Sequence, residues 1–209
     1  MNDPAAGWSA LHHGLGPGEV PLLRPWLRLM WWLARPLARL RVPPLVITLA
    51  GVVLAFDAAL FASHLPWLAF AMVALSVVCD GLDGAVAVMG SRASESGSIA
   101  DKVADRVADC LFAVVLWRCG APWWLALAAG ALSLVHEGLR VALGGARLAR
   151  ITVAERPTRA ICAVLACGCA GVSSATWPPT VCAAVWVGLG MVGLVQLLRP
   201  LGPCAAPGA

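Results

Sequence analysis

Six apolar stretches dominate this chain of 209 residues and restrict the folds that are open to it. They cover roughly residues 45–64, 67–89, 101–118, 122–143, 158–175 and 179–198. Each has about the 20 residues that a helix needs to cross the bilayer core. Only 12% of the residues are charged and the mean hydropathy is +0.83, which argues against soluble domains. The sequence predicts an all-α integral membrane protein with six transmembrane helices.

The basic residues predict how these spans are oriented. With the N-terminus inside, every Lys and Arg except Arg118 lies in a cytoplasmic segment, as the positive-inside rule requires. Tryptophans mark the predicted outer ends of spans, where an aromatic belt belongs: Trp67, Trp117, Trp123, Trp124 and Trp177. The protein is therefore expected to be multi-pass in the cell (inner, cytoplasmic) membrane. Because the basic residues follow topology, the net charge of +4 does not indicate binding to nucleic acid.

A separate amphipathic unit is predicted at residues 21–42, before the first span. Its arginines fall within a stripe of about 60° when each residue turns the helix by about 100°; they are Arg24, Arg28, Arg35 and Arg39. Tryptophans at 26, 31 and 32 provide interfacial anchors, as in helices that lie among anionic lipid headgroups. The six-helix membrane domain is predicted at 43–200. Residues 1–20 are expected to form a flexible N-terminal tail, and residues 201–209 a C-terminal tail.

Four aspartates interrupt the apolar sequence near the second and third spans: Asp80, Asp83, Asp101 and Asp105. Burying a carboxylate in an apolar, membrane-spanning segment costs free energy, so such residues are taken as functional-site candidates by default. Residues three or four apart share a helix face, which makes Asp80/Asp83 one pair and Asp101/Asp105 another. Two facing pairs could not all stay ionised without cations, and hard carboxylate oxygens suit Mg²⁺, Mn²⁺ or Ca²⁺. A divalent-metal site at the cytoplasmic side is predicted.

The same run resembles the signature of the CDP-alcohol phosphatidyltransferases, D-x2-D-G-x2-A-R-x8-G-x3-D-x3-D. All four aspartates match at the required spacings, as do Gly84, Ala87 and Gly97. Val88 stands where the pattern has arginine, and Arg92 comes four residues later. The resemblance covers residues 80–105 directly, and the predicted architecture around them agrees with it.

The resemblance implies an enzyme of phospholipid biosynthesis that moves a phosphatidyl group from a CDP-linked lipid to an alcohol and releases CMP. The expected donor is CDP-diacylglycerol, and the expected cofactor is Mg²⁺ or Mn²⁺, as two ions. Asp80, Asp83 and Asp101 would hold metal, and Asp105 would act as general base and further ligand. Thr48, Gly84, Ala87 and Gly97 would bind the CDP-lipid. A homodimer is compatible with this assignment.

A second segment bears on the acceptor. Glu155-Arg156-x-x-Arg159 resembles the E-R-x-x-R segment of family members that use a phosphorylated polyol. Because guanidinium forks suit phosphate, Arg140, Arg156 and Arg159 are expected to bind the acceptor phosphate. An inositol phosphate ranks slightly ahead of glycerol phosphate. Topology alone would also place arginines in this cytoplasmic loop.

Other hypotheses stay open at this point. A small cation carrier would need a continuous polar path through the spans, and only Asp57 offers one. A non-catalytic relative would explain Val88. Asp109 lies one turn beyond Asp105, where it could orient metal ligands or pair with Arg106 or a backbone group.

Overall fold

A computed structural model describes residues 23–90, 95–144 and 152–199, which form seven α-helices and no strand. The helices are α1 (Leu23–Arg39), α2 (Pro44–Phe61), α3 (Pro66–Met89), α4 (Glu95–Arg118), α5 (Trp123–Leu143), α6 (Arg156–Val172) and α7 (Trp177–Leu198). The all-α class is thus confirmed. The predicted tails and Arg92 lie outside the described residues.

Four of these helices are long and apolar enough to cross a membrane, namely α2, α3, α5 and α7. The other two predicted spans also contain helices, α4 and α6. Neither of these meets the requirements of length and apolar composition for crossing a membrane. The first half of α4 carries several charged side chains, and α6 has only 17 residues and begins with an arginine. Six membrane crossings therefore remain a prediction.

The described chain divides into two compact units. One combines the residues up to Phe56 with Ala74–Ala108 and contains all four signature aspartates. The other combines Asp57–Val73 with the described residues from Asp109 onward, and it contains Arg140, Arg156 and Arg159. The predicted metal ligands and the predicted acceptor ligands thus belong to different units.

In the first unit, one apolar side of α1 packs against α2 and α3. Met30 and Ala34 are buried in a cluster with Ile47, Ala85 and Val86. A Cβ atom added to Gly81 would come within 2.8 Å of the Met30 sulfur, so glycine allows α1 to approach α3 closely. The contact brings α1 close to Asp80, which immediately precedes Gly81 in the chain.

Three arginines of α1 lie outside that cluster. Arg28, Arg35 and Arg39 are exposed, and Trp32 is 64% exposed. A helix thus lies within the predicted range 21–42, and its amphipathic, interfacial character stays a prediction. Its position in the lipid headgroups remains a prediction.

Helices α2 and α3 meet through small residues beside the aspartates. The buried Ser76 hydroxyl donates a hydrogen bond of 2.8 Å to the Gly51 carbonyl oxygen. A Cβ atom on Gly51 would lie 3.1 Å from that of Cys79, which is tighter than ordinary packing. The close approach fixes the part of α3 from which Asp80 and Asp83 project.

In the second unit, α5 and α6 both pack against α7. The Trp186 indole donates a buried hydrogen bond of 2.9 Å to the Ser133 hydroxyl, which joins α7 to α5. Cβ atoms at Gly190 and Gly193 would overlap Leu132 and Ala154. Glycine on α7 therefore permits this packing, as small residues commonly do between membrane helices.

We expect Gly81→Leu to displace α1, because the new side chain would overlap Met30. Overpacking of this kind typically costs about 1–3 kcal/mol, so the thermal midpoint measured in detergent should fall. The matched control is Gly188→Leu, since a Cβ at Gly188 meets no atom within 4 Å. Equal midpoints for the two variants would contradict close packing of α1 on Gly81.

Candidate functional site

Three of the four predicted metal ligands come together in the structure. Asp80 on α3 and Asp101 and Asp105 on α4 each offer one carboxylate oxygen, and these oxygens all lie within 4.8 Å of one another. Asp101 and Asp105 are four residues apart and so project from the same face of α4. All three side chains are partly buried.

The donor set fits a divalent cation. Asp101 Oδ1 is buried and has no hydrogen-bond partner within the described part of the chain. A buried acceptor left without a partner is costly, and three carboxylates this close together repel one another. A hard cation such as Mg²⁺ or Mn²⁺ would satisfy both demands.

Asp83, the fourth predicted ligand, is not one of these three. Its carboxylate is 5% exposed and accepts two hydrogen bonds of 2.6 Å, from the Thr48 hydroxyl to Oδ2 and from the Gly84 N–H to Oδ1. Each oxygen retains a second lone pair, so the hydrogen bonds do not prevent metal binding. Its role as a ligand stays a prediction, whereas its bond to Thr48 is a contact that the sequence did not reveal.

The glycines near the aspartates have different surroundings. Packing against Met30 requires glycine at position 81, but a Cβ atom at Gly84 would meet nothing within 4 Å. Space beside Gly84 is therefore open. Ala87 and Val88 are partly buried and Gly97 is exposed. That Gly84, Ala87 and Gly97 bind the CDP-lipid remains a prediction.

Arg159, a predicted acceptor ligand, is instead surrounded by protein acceptors and is only 2% exposed. Its Nη1 donates to Asp109, its Nη2 donates to Glu137 at 3.1 Å, and its Nε and Nη2 donate to the Ala154 carbonyl oxygen at 3.0 and 2.8 Å. Removing one partner of a buried ion pair typically costs about 3–5 kcal/mol. These bonds favour a role for Arg159 in holding α6 in place.

Arg140, at the end of α5, binds Glu155, which immediately precedes α6. The Arg140 Nη1 and Nη2 atoms donate to the two oxygens of Glu155, the first at 3.1 Å. Thr152 adds its backbone N–H at 2.9 Å and its hydroxyl at 3.1 Å, both to Glu155 Oε1. The Arg140 and Glu155 side chains are 14% and 29% exposed, so this pair is far more accessible than that of Arg159.

His136 extends the same network into the protein. Its Nε2 lies 3.1 Å from the Thr152 hydroxyl oxygen, and the side chain is fully buried. The Thr152 hydroxyl has a single proton, which it donates to Glu155. Its oxygen therefore accepts the hydrogen bond from His136, so the Nε2 atom of the imidazole carries a proton.

Arg156 opens α6 beside Arg159. Burial and the neighbouring Arg159 charge lower the pKa of Arg156 to about 10, so the side chain stays protonated at neutral pH. The three predicted arginines therefore differ in kind. Arg159 is enclosed by its partners, Arg140 is partly exposed, and Arg156 is partly buried at the start of α6.

Sequence reasoning missed the partners in this second cluster. Glu137, His136 and Thr152 were not assigned roles, and Arg159 was not named as a partner of Asp109. A signal was available, because ionisable residues in an apolar stretch require a partner or a function. The partner itself could not be identified, since it lies 50 residues away.

Comparison with known proteins agrees with the geometry. Residues 41–196 match the family model described as CDP-alcohol phosphatidyltransferase. A phosphatidylinositol phosphate synthase from Mycolicibacterium smegmatis is similar to this chain, with 28% identity over 187 residues that cover 80% of this chain and 81% of that protein. The family match includes the aspartate cluster and the arginine network. This chain therefore belongs to the CDP-alcohol phosphatidyltransferase family, and it is a membrane transferase of phospholipid biosynthesis.

Proposed function

We propose that the enzyme transfers a phosphatidyl group from CDP-diacylglycerol to a phosphorylated polyol and releases CMP. The observation that carries the proposal is the convergence of Asp80, Asp101 and Asp105, whose oxygens lie within 4.8 Å of one another. The name of the M. smegmatis relative supports an inositol phosphate as acceptor, ahead of glycerol phosphate.

Asp80, Asp83, Asp101 and Asp105 are proposed to hold two divalent ions, Mg²⁺ or Mn²⁺. When bound, such ions neutralise the charge of the diphosphate and of the departing phosphate oxygen. The buried Asp101 Oδ1 supports this assignment because it has no other partner in the described chain. Thr48 contributes by fixing the orientation of the Asp83 carboxylate through its hydrogen bond of 2.6 Å.

Asp105 is proposed as the general base. It would accept the proton of the acceptor hydroxyl while that oxygen bonds to the lipid-linked phosphorus. The bond from this phosphorus to the CMP oxygen breaks, and CMP leaves with the electron pair. Reaction at phosphorus depends mainly on positioning and charge neutralisation, which suits a cluster of carboxylates on two packed helices.

The remaining substrate contacts are proposed from the accessibility of the side chains. Open space beside Gly84 supports a place for the CDP-lipid there, with Ala87 and Gly97 nearby in the signature. Among the predicted acceptor ligands, Arg140 and Arg156 are proposed to contact phosphate directly. Arg159 is proposed to support the acceptor site by holding the first turn of α6, because its donors already serve Asp109, Glu137 and Ala154.

The membrane arrangement is part of the proposal. Residues 43–200 would form six spans with the active site facing the cytoplasm, and α1 would lie on the same surface. Exposed tryptophans at helix ends support this topology, as do the exposed arginines of α1. A homodimer in the cell membrane would be compatible with it.

The direct test is CMP release from CDP-diacylglycerol by purified protein with different acceptors. We expect turnover with an inositol phosphate or glycerol phosphate and none with inositol, glycerol or serine. Turnover with serine alone would contradict a phosphorylated acceptor.

Asp80→Asn and Asp101→Asn should each abolish Mg²⁺-dependent CMP release and weaken Mn²⁺ binding measured by calorimetry, because each removes a charged oxygen. Asp57→Asn is the matched control, since it removes a carboxylate that is not among the three clustered aspartates. Normal Mg²⁺-dependent turnover in either cluster variant would refute the metal assignment.

Arg156→Ala and Arg159→Ala should distinguish a residue that binds the acceptor phosphate from one that stabilises the start of α6. We expect Arg156→Ala to raise the acceptor KM more than tenfold, since a charge-assisted hydrogen bond contributes about 1.5–3 kcal/mol, and to leave the CDP-lipid KM unchanged. Arg159→Ala should lower the thermal midpoint strongly because it strands Asp109 and Glu137. A stable Arg159→Ala protein with a raised acceptor KM would instead favour direct phosphate binding by Arg159.

Val88→Arg restores the one departure from the family signature. The added cation should lower the KM for the CDP-lipid and leave the acceptor KM unchanged, because residue 88 follows Gly84 by one turn. Steady-state kinetics with each substrate varied in turn would show this. An inert wild type that gains turnover only as Val88→Arg would identify a non-catalytic relative.

A further inference from the structure

We infer that Glu155 is an internal stand-in for the acceptor's phosphate: its carboxylate fills an anion cradle formed by Arg140 and Thr152 and must leave when a phosphate monoester enters. This inference rests on the proposed function, and it assigns Thr152 and Glu155 to acceptor selection. Glu155 begins the E-R-x-x-R segment but had no role assigned there, and Thr152 lies outside that segment.

The cradle has the donors that a phosphate requires. Arg140 presents two N–H groups in a fork, and Thr152 presents a backbone N–H and a hydroxyl. All four donate to the single carboxylate of Glu155. Forked guanidinium donors with a backbone N–H are a common arrangement for binding phosphate oxygens.

The position of the cradle adds to its preference for anions. Glu155 is the residue immediately before α6, a helix of 17 residues. The N-terminus of a helix carries partial positive charge and favours phosphate. Arg156, which remains protonated at neutral pH, is the next residue.

Accessibility decides which arginine can exchange its carboxylate. The Arg140 and Glu155 side chains are 14% and 29% exposed, whereas those of Arg159 and Asp109 are 2% and 1% exposed. Glu155 can therefore rotate into water while Arg140 keeps a charged partner in the incoming phosphate. Asp109 has no such route, so the Arg159 pair stays closed.

Exchange gives the cradle selectivity by charge. A monoanion offers no more charge than the carboxylate that it replaces, but a phosphate monoester carries close to two negative charges at neutral pH. Glu155 thus weakens the binding of every anion and leaves useful affinity only for a dianionic phosphate. An alcohol without phosphate cannot displace it.

The test is calorimetric titration of the purified full-length protein with inorganic phosphate and with methyl phosphate, in the absence of CDP-lipid. We expect Glu155→Gln to lower the Kd for both at least tenfold, because the competing charge is gone. Adding Arg140→Gln to that variant should remove the gain. In turnover, Glu155→Gln should lower the KM of the phosphorylated acceptor only.

Gln196→Ala is the matched control for loosening of the loop. The Gln196 side chain accepts from the Val153 N–H at 3.0 Å, next to Thr152, and takes no part in the four hydrogen bonds to Glu155. An equal gain in phosphate affinity from Gln196→Ala would overturn the inference. Glu155→Asp provides a second variant should Glu155→Gln not fold, since a side chain shorter by one methylene cannot serve both Arg140 and Thr152; its gain should be intermediate.

CDP-choline, whose diphosphate has no monoester, distinguishes the two sources of phosphate. A gain for CDP-choline but not for methyl phosphate would place the donor in the cradle and overturn the inference, as would an unchanged or raised phosphate Kd in a folded Glu155→Gln protein. Phosphate binding is measured without turnover, so the role of Glu155 and the proposed transfer reaction can be refuted independently. CMP release with an unchanged phosphate Kd refutes only the role of Glu155, whereas a tightened Kd without CMP release refutes only the proposed reaction.

Discussion

The cost of keeping charge inside an apolar molecule governs both clusters of this protein. An ionised group that loses water must find an opposite charge or enough hydrogen bonds. In the first unit, Asp80, Asp101 and Asp105 bring three carboxylates together, an arrangement that suits a bound divalent cation. In the second, Asp109 and Glu137 balance Arg159 within the chain itself. The same constraint thus produces a site that needs a ligand and a site that is already complete.

Sequence was a good guide where the relevant spacing is local. Asp101 and Asp105 share a face of α4 because they are four residues apart, so their convergence could be predicted without tertiary structure. The stripe of arginines on α1 follows from the same periodicity. Asp83 shows the limit of this reasoning, because spacing pairs it with Asp80 but cannot show that the Thr48 hydroxyl binds its carboxylate.

Contacts between distant parts of the chain were not predictable in this way. Arg140 and Arg159 both fit the pattern of a phosphate ligand, and only tertiary packing shows that one is accessible and the other enclosed. Gly81 and Gly84 also could not be distinguished from sequence. They are three residues apart, yet helix packing requires glycine at position 81, whereas Gly84 lies beside open space. Residue type indicates what a position can do, and its neighbours decide what it does.

The enclosed ion pair also has a consequence for how the protein is made. Asp109 and Glu137 precede Arg159 by 50 and 22 residues, so a ribosome completes both carboxylate-bearing helices before the arginine exists. A carboxylate in a membrane helix is unfavourable until it is paired. Arrival of α6 therefore does more than add a helix, because it supplies the positive charge that pairs with Asp109 on α4 and Glu137 on α5. The second unit should therefore reach its final packing only after Arg159 of α6 has been synthesised.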